Sequence, residues 1–366
     1  MAGLSLRSLT VSHFRSHKAA CLELDGRPVV IYGANGAGKT NLLEAVSLLS
    51  PGRGMRRAAS DDIARRPERL GWKVSAVLDR LGQQYEIETR AAPGAARQVR
   101  IDGKAATQSA LGRLVQVVWL IPAMDRLWIE GAEGRRRFLD RLVLSFEPGH
   151  GDAALSYEKS MRERNRMLKD QVRDPHWYNA VEDQMARAGA LMIASRARVL
   201  ERLRLAQQGA QTAFPAAGLC IEAPEEGNDP QGVDELRSAW MEGRSRDLAA
   251  GRTLVGPHRI DLAATYEAKG VEARHCSTGE QKALLISLIL ANGRALAQDR
   301  GTPPVLLLDE VAAHLDAERR TALYDEICAL GAQAFMTGTE DSLFAALGPR
   351  AGRIHVSENG GLSSLG

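Results

Sequence analysis

The sequence predicts an α/β protein: a core of strands and helices contributed by both ends of the chain, with an antiparallel strand lobe and an inserted helical lobe. Three observations predict it. An apolar run followed by helical periodicity occurs near each end, at Val29–Tyr32 with Thr40–Leu49 and at Val305–Leu308 with Ala317–Leu330. A glycine-rich break, Gly33 to Gly38, separates the first strand from its helix. Between Arg135 and about Ala250 strand patterns almost vanish, and Arg, Leu and Ala recur at helical spacing.

Taken in order, Leu4, Leu6, Leu9 and Val11 alternate and lead to Cys21, Leu22 and Leu24, as in short strands. Val74–Leu78, Tyr85–Thr89 and Val99–Ile101, with a turn at Asp102-Gly103, read as an antiparallel sheet lobe. Val115 to Ile121 reads as a further strand, closed by Pro122. Helices are expected over Arg135–Phe146, Ala153–Val172, Trp177–Phe214 and Val233–Ala250. Val181, Met185, Ala188 and Met192 share one helical face, and no heptad pattern supports a long coiled coil. Ile260–Ala263 alternates again. A helix over Ala283–Leu296 follows, then the stop Pro303-Pro304, the strand Val305–Leu308, the helix Ala317–Leu330, and strands at Ala334–Thr337 and Arg353–Val356. The expected division is one discontinuous core of residues 1–122 and 251–366, interrupted by a helical insertion of residues 123–250.

The 366 residues suffice for a large core without disulfides or a structural metal. An apolar fraction of 44% and a charged fraction of 25% exclude a disordered or fibrous chain. The net charge of +3 is too mild to demand a nucleic-acid partner by itself. Cys21, Cys220, Cys276 and Cys328 form no C-x-x-C pair and no zinc spacing, as expected of reduced thiols in a cytoplasmic protein. No signal-peptide core is expected from the N-terminal residues, and the apolar run near Ala283–Ala291 is too short to span a bilayer.

Gly33-Ala34-Asn35-Gly36-Ala37-Gly38-Lys39-Thr40 fits G-x-x-x-x-G-K-[ST] between a strand and a helix. Glycines let backbone N–H groups curl around phosphate oxygens, and the helix N-terminus adds positive potential. Lys39 is placed for the β and γ phosphates of ATP and Thr40 for Mg²⁺. Asp309 and Glu310 end the apolar run Val305–Leu308, so a parallel strand delivers both to the ligand-binding edge of the sheet. Asp309 suits the magnesium shell, and Glu310 the polarisation of the attacking water. Ser277, Gly279, Glu280 and Gln281 open a strongly apolar helix and form a second anion site.

The order phosphate loop, insertion, Ser-x-Gly-Glu-Gln, acidic strand resembles the ABC ATPase superfamily. That resemblance implies head-to-tail dimers in which Ser277 and Gly279 touch a γ-phosphate held by the partner's Lys39. Leu306 to Asp316, continuing to Arg319 and Leu323, resembles one signature of the RecF family. Pro122 through Gly134-Arg135-Arg136-Arg137-Phe138-Leu139-Asp140 resembles the other, and His13-Phe14-Arg15-Ser16 and Gly256-Pro257-His258-Arg259 also fit. The resemblance implies an ABC-type ATPase head (a P-loop core with an antiparallel β lobe) with a helical second lobe and a D-loop at His314, Leu315 and Asp316. It implies an ATP-dependent homodimer that clamps DNA at gaps or single-strand/double-strand junctions. It further implies action with RecR and RecO in loading RecA, in support of replication and the SOS response, with ATP as a switch and hydrolysis slow and DNA-dependent. The pattern departs from the superfamily in lacking a switch histidine and an evident glutamine loop: Gln116 falls mid-strand, and Thr337 closes the last core strand. An ATP-binding subunit of a membrane transporter is the alternative, and it calls for both missing elements. A small-molecule kinase would need no signature helix.

Between Pro51 and Lys73, seven basic side chains face three acidic ones, a local balance of +4. Arg53, Arg56 and Arg57, among Gly52 and Gly54, are the expected DNA contacts, since duplex binding is mostly phosphate neutralisation. Arg162, Arg164, Arg166 and Lys169, alternating with Glu158 and Glu163, read as a solvated helix face laced with ion pairs.

Overall fold

The computed structural model describes residues 3–223, 229–357 and 361–365. The N-terminal alternation forms β1 (Leu4–Phe14) and β2 (His17–Glu23), and β3 (Val29–Tyr32) follows. The phosphate-loop helix is α1 (Lys39–Ser47), and a single turn, α2 (Ser60–Ile63), interrupts the basic connection. Strands β4 (Trp72–Arg80), β5 (Gln83–Ala91), β6 (Gln98–Ile101) and β7 (Lys104–Ala106) extend β2 and β1 into a six-stranded antiparallel sheet of order β2-β1-β4-β5-β6-β7. Then come α3 (Gln108–Leu114), whose cap Thr107 accepts from Ala110 N, and β8 (Val117–Leu120).

The helical region holds α4 (Ala132–Phe146), α5 (His150–Lys169), α6 (Pro175–Gln207) and α7 (Val233–Ala250). Asp174 and Pro175 start α6 by a cap and a first-turn proline. Strand β9 (Ala217–Glu222) lies within this region and pairs antiparallel with β10 (Asp261–Tyr266), which is bordered by β11 (Val271–Glu272). After α8 (Thr278–Arg300) come β12 (Val305–Leu308), α9 (Ala317–Leu330), β13 (Ala334–Gly338), β14 (Gly352–Val356) and β15 (Leu362–Leu365).

The central sheet has the order β15-β14-β3-β13-β12-β8, parallel except for β15. Strands β3, β12 and β13 are buried on both faces. Leu306 and Leu308 pack with α8 and α4, while Val305 and Leu307 pack toward α1 and the antiparallel lobe. Period-two alternation thus splits one strand between two cores. Burial of each such side chain contributes about 1.5–3 kcal/mol. Helix α8 is apolar on all sides and correspondingly enclosed from Gln281 to Gly293.

Three sequence expectations are corrected. The helical stretch is not strand-free, because β9 gains its stability from pairing with β10, which follows only after the whole of α7, a contact that local composition does not signal. The helix expected to reach Phe214 ends at Gln207, ahead of Gly209 with φ +74°. Arg164 is not part of a solvated face. Its side chain is fully buried and bonds Glu182 Oε1 at 2.9 Å and Asp247 Oδ2 at 2.6 Å. Thr253 Oγ1 accepts from the same guanidinium at 2.8 Å.

Candidate nucleotide site and its neighbours

Strand β3 delivers the chain to Gly33, where φ is +150° and a Cβ would lie 2.2 Å from the Val356 carbonyl oxygen. Gly38 has φ +104°, and a Cβ there would meet Ser16 Oγ at 2.5 Å and His17 Nε2 at 2.8 Å. Only glycine fits these two positions. Ala34, Asn35, Gly36 and Ala37 form the turn between them. No side chain caps α1; Asn41 N donates to Gly38 O at 3.0 Å, and the positive end of the helix faces the loop. Lys39 Nζ donates to Gly33 O and Ala34 O, both at 2.8 Å. Burial lowers the Lys39 pKa, while Glu310 and Asp309 pull it back up.

The acidic strand end arrives beside this loop. Thr40 Oγ1 donates to Asp309 Oδ1 at 2.9 Å, and Thr337 Oγ1 donates to the same oxygen at 2.7 Å. Glu310 N donates to Thr337 Oγ1 at 2.9 Å. Glu310 itself is held at φ +54°, a left-handed conformation that non-glycine residues adopt at a cost and that clusters at functional sites. A hydroxyl and a carboxylate at hydrogen-bond distance form a hard-oxygen pair suited to Mg²⁺, which usually takes one or two carboxylates plus phosphate oxygens and water. Among the described residues no group of three or more His, Cys, Asp or Glu could hold a metal alone. The donor set therefore fits Mg·ATP better than an independent metal.

Ser277 caps α8 in a reciprocal box: Glu280 N donates to Ser277 Oγ, and Ser277 N donates to Glu280 Oε2 at 2.8 Å. Lys269 pairs with Glu280, and with the Ser277 donors it holds the Glu280 carboxyl down at about 2. Nothing lies within 4 Å of a Cβ placed on Gly279. Gln281 is buried and donates to Cys276 O at 2.9 Å. Among the described residues, no hydrogen bond joins Ser277, Gly279, Glu280 or Gln281 to the phosphate loop. Next to Glu310, His314 ends the 3-10 turn Val311–His314, Leu315 is buried, and Asp316 caps α9 by accepting from Arg319 N at 2.8 Å.

Register removes Gln116 from the site. Leu308 pairs with Leu120, and Asp309 N donates to Leu120 O, so the carboxyl edge lies beyond Leu120. Gln116 stands at the opposite end of β8 and donates to Gly112 O at 2.9 Å. Arg53, Arg56 and Arg57 are all exposed, and of the three Arg56 donates to Asn41 Oδ1 at 2.8 Å and lies 3.3 Å from Glu44 Oε2. Glu44 was not singled out from sequence. It is 1% exposed on the otherwise apolar inner face of α1 and is gripped by Arg15 Nη2 at 2.6 Å and Nε at 2.8 Å. A carboxylate among Leu42, Leu43 and Val46 was the available signal.

A parallel sheet with a phosphate loop after β3, an acidic pair after β12 and an antiparallel lobe defines the class as an ABC-type ATPase head of the SMC kind. A family model described as "RecF/RecN/SMC N terminal domain" matches residues 5–360. The chain is 48% identical to the DNA replication and repair protein RecF of Rhizobium etli over 97% of this chain and 98% of that one. It is 46% identical to the protein of the same name from Brucella suis, over 97% and 95%. The chain belongs to the RecF family. In fold it matches the recombination mediator protein RecF solved with ATP, with TM-score 0.85 at 23% identity, covering 100% of this chain and 98% of that one. A Pyrococcus furiosus Smc head domain matches with TM-score 0.55 at 15% identity, covering 99% and 96%. Family membership does not favour the membrane-transporter alternative, and no described helix is long and apolar enough to cross a membrane.

Proposed function

We propose that this chain is an ATP-dependent DNA-binding protein of recombinational gap repair. The observation that carries the reading is the Thr40–Asp309 hydrogen bond of 2.9 Å, which joins the phosphate loop to the acidic strand end. Residues Gly33 to Thr40 hold the phosphates of ATP, with Lys39 turning from the Gly33 and Ala34 carbonyls to the β and γ oxygens. Thr40 and Asp309 hold Mg²⁺, which when bound neutralises charge on those oxygens. Glu310 orients and polarises water at the γ-phosphate, with Thr337 fixing its backbone.

The exposed start of α8 offers N–H groups to the γ-phosphate of a second copy, so ATP drives homodimerisation, with Ser277, Gly279, Glu280 and Gln281 acting in trans. The D-loop residues His314, Leu315 and Asp316 border the same contact. The dimer binds gapped DNA or single-strand/double-strand junctions and acts with RecR and RecO to help RecA load, supporting replication and SOS induction. Hydrolysis is slow and DNA-dependent, and ATP is a switch. The setting is cytoplasmic, with no membrane partner. Sedimentation in saturating Mg·ATP, with and without gapped DNA, tests this. The expected result is a doubled mass with ATP and salt-sensitive co-sedimentation with DNA. A monomer that ignores both would sink the reading.

A further inference from the structure

The chain leaves α1 at Ser47 and enters the loop 52–57, and two guanidiniums from different lobes fix the root of that loop. Arg97, just before β6, donates to Leu48 O and to Gly52 O, the latter at 2.6 Å. Arg141, on α4, donates to Pro51 O at 3.2 Å, Ser50 Oγ at 2.9 Å and Val117 O at 2.7 Å. Its guanidinium lies 3.8 Å from the centre of the Trp119 ring. Desolvation lowers both groups, Arg97 to about 10 and Arg141 to about 9. Neither has a carboxylate partner among the described residues. Their charge is directed instead at oxygens around the C-terminal end of α1, where a helix favours cations. The loop therefore leaves a fixed platform.

Arg53 and Arg57 project from it. Both are exposed, and among the described residues neither makes a side-chain hydrogen bond or ion pair. Arg57 is held at φ +55°, off the conformation an arginine prefers. Partial enclosure lowers its pKa, and the positive charges of Arg137 and Arg53 lower it further, against Glu133 and Glu158. Arg137 stands one turn before Arg141 on α4, on the same face. Its partner is the exposed Glu133, four residues earlier, a kind of pair worth little in water. Three arginines from two lobes thus converge with no buried carboxylate to neutralise them.

We propose that Arg53, Arg57 and Arg137 form one composite surface for the phosphate backbone of nucleic acid, laid across the junction between the loop after α1 and helix α4. The inference rests on the DNA-binding reading and assigns its location. Arg56 is excluded, because its guanidinium is committed to Asn41 and Glu44. Guanidinium forks suit phosphate oxygens. A protein partner would need apolar anchors, and neither the loop nor α4 exposes a large hydrophobic side chain.

The test is fluorescence anisotropy of a labelled gapped duplex with the full chain in Mg·ATP, titrated between 50 and 200 mM salt. Arg53→Gln and Arg137→Gln are each expected to lower the slope of log affinity against log salt by about 0.9, and together by about 1.8. Arg173→Gln, an exposed change elsewhere, is expected to leave it alone. Circular dichroism checks that each variant folds. If the wild type binds with a steep slope and the double variant keeps it, the composite surface is wrong and the DNA-binding reading stands. Loss confined to Arg53→Gln also overturns it. Polyglutamate competing as well as duplex at equal charge would reassign the surface to an acidic peptide. If the wild type shows no salt-dependent binding, the reading itself fails.

Discussion

Thr40 and Asp309 lie 269 residues apart in the chain, yet the Thr40 hydroxyl donates to the Asp309 carboxylate at 2.9 Å. Around that bond stand Lys39, Glu310 and Thr337.

Lys39→Ala is expected to weaken ATP binding at least 10- to 100-fold, the loss of charged hydrogen bonds worth about 1.5–3 kcal/mol. Its Nζ bonds are to loop carbonyls, not to the core, so the fold should persist. Calorimetric titration decides the first point and a thermal melt the second. An unchanged Kd would show that the phosphate-loop assignment is wrong.

Glu310→Gln keeps shape but removes the charge that polarises water. Phosphate release should fall by about 10²–10⁴-fold, the usual worth of a positioned base, while ATP binding and the dimer persist. Ser277→Arg should do the reverse, leaving a nucleotide-bound monomer. Light scattering in saturating Mg·ATP compares them. A Ser277→Arg protein that dimerises as wild type does would mean the signature does not act in trans.

Thr337→Val removes one hydroxyl with two bonds, to Asp309 Oδ1 and from Glu310 N. Glu310 N would be left unpaired and Asp309 Oδ1 would keep only the Thr40 hydroxyl, which should destabilise by about 1–3 kcal/mol and lower the hydrolysis rate more than ATP affinity. Thr337→Ser should restore both. Denaturant titration with a phosphate-release assay checks this, and a Ser variant as poor as Val would argue against the hydroxyl.

Arg164→Leu should cost about 3–5 kcal/mol, because Glu182 and Asp247 are left as buried, under-compensated carboxylates. Burial already raises the Asp247 pKa despite Arg164. A loss under about 1 kcal/mol in urea denaturation would contradict a buried cluster.

His258 is pushed down to about 4, chiefly by burial. Its Nε2 lies 3.1 Å from Thr253 O and its Nδ1 2.7 Å from Tyr157 Oη, so a neutral ring donates to the first and accepts from the second. The folded pKa is below the unfolded one, so protonation favours unfolding. Stability is full above about pH 6.5 and falls toward pH 4, at up to about 1.4 kcal/mol per pH unit from this group. His258→Gln should flatten that limb in urea midpoints measured from pH 7 to 4. An unchanged slope would place the titration elsewhere.

Local chemistry accounts for what the sequence determined by itself. The phosphate loop, the acidic strand end and the capped start of α8 are contiguous runs whose residue types are dictated by backbone conformation and charge, so Gly33, Gly38, Lys39, Asp309 and Ser277 are legible without a structure. The same holds for the α/β order of the ends and the antiparallel lobe, because burial on one or two faces imprints a period on neighbouring residues. Tertiary structure alone decided the pairings between distant segments. Strand β9 is too short and mixed to announce itself and exists by its ladder with β10. The charge of Arg164 looks solvent-facing in sequence, and the burial of Arg164 and Glu44 became tolerable only when Glu182, Asp247, Arg15 and Arg56 arrived from elsewhere. The position of Gln116 was settled by register, since four residues along β8 separate it from the edge where Asp309 stands. Periodicity reports which face of an element is buried, not which partner buries it, and a charge becomes structural or functional only through the partner it meets.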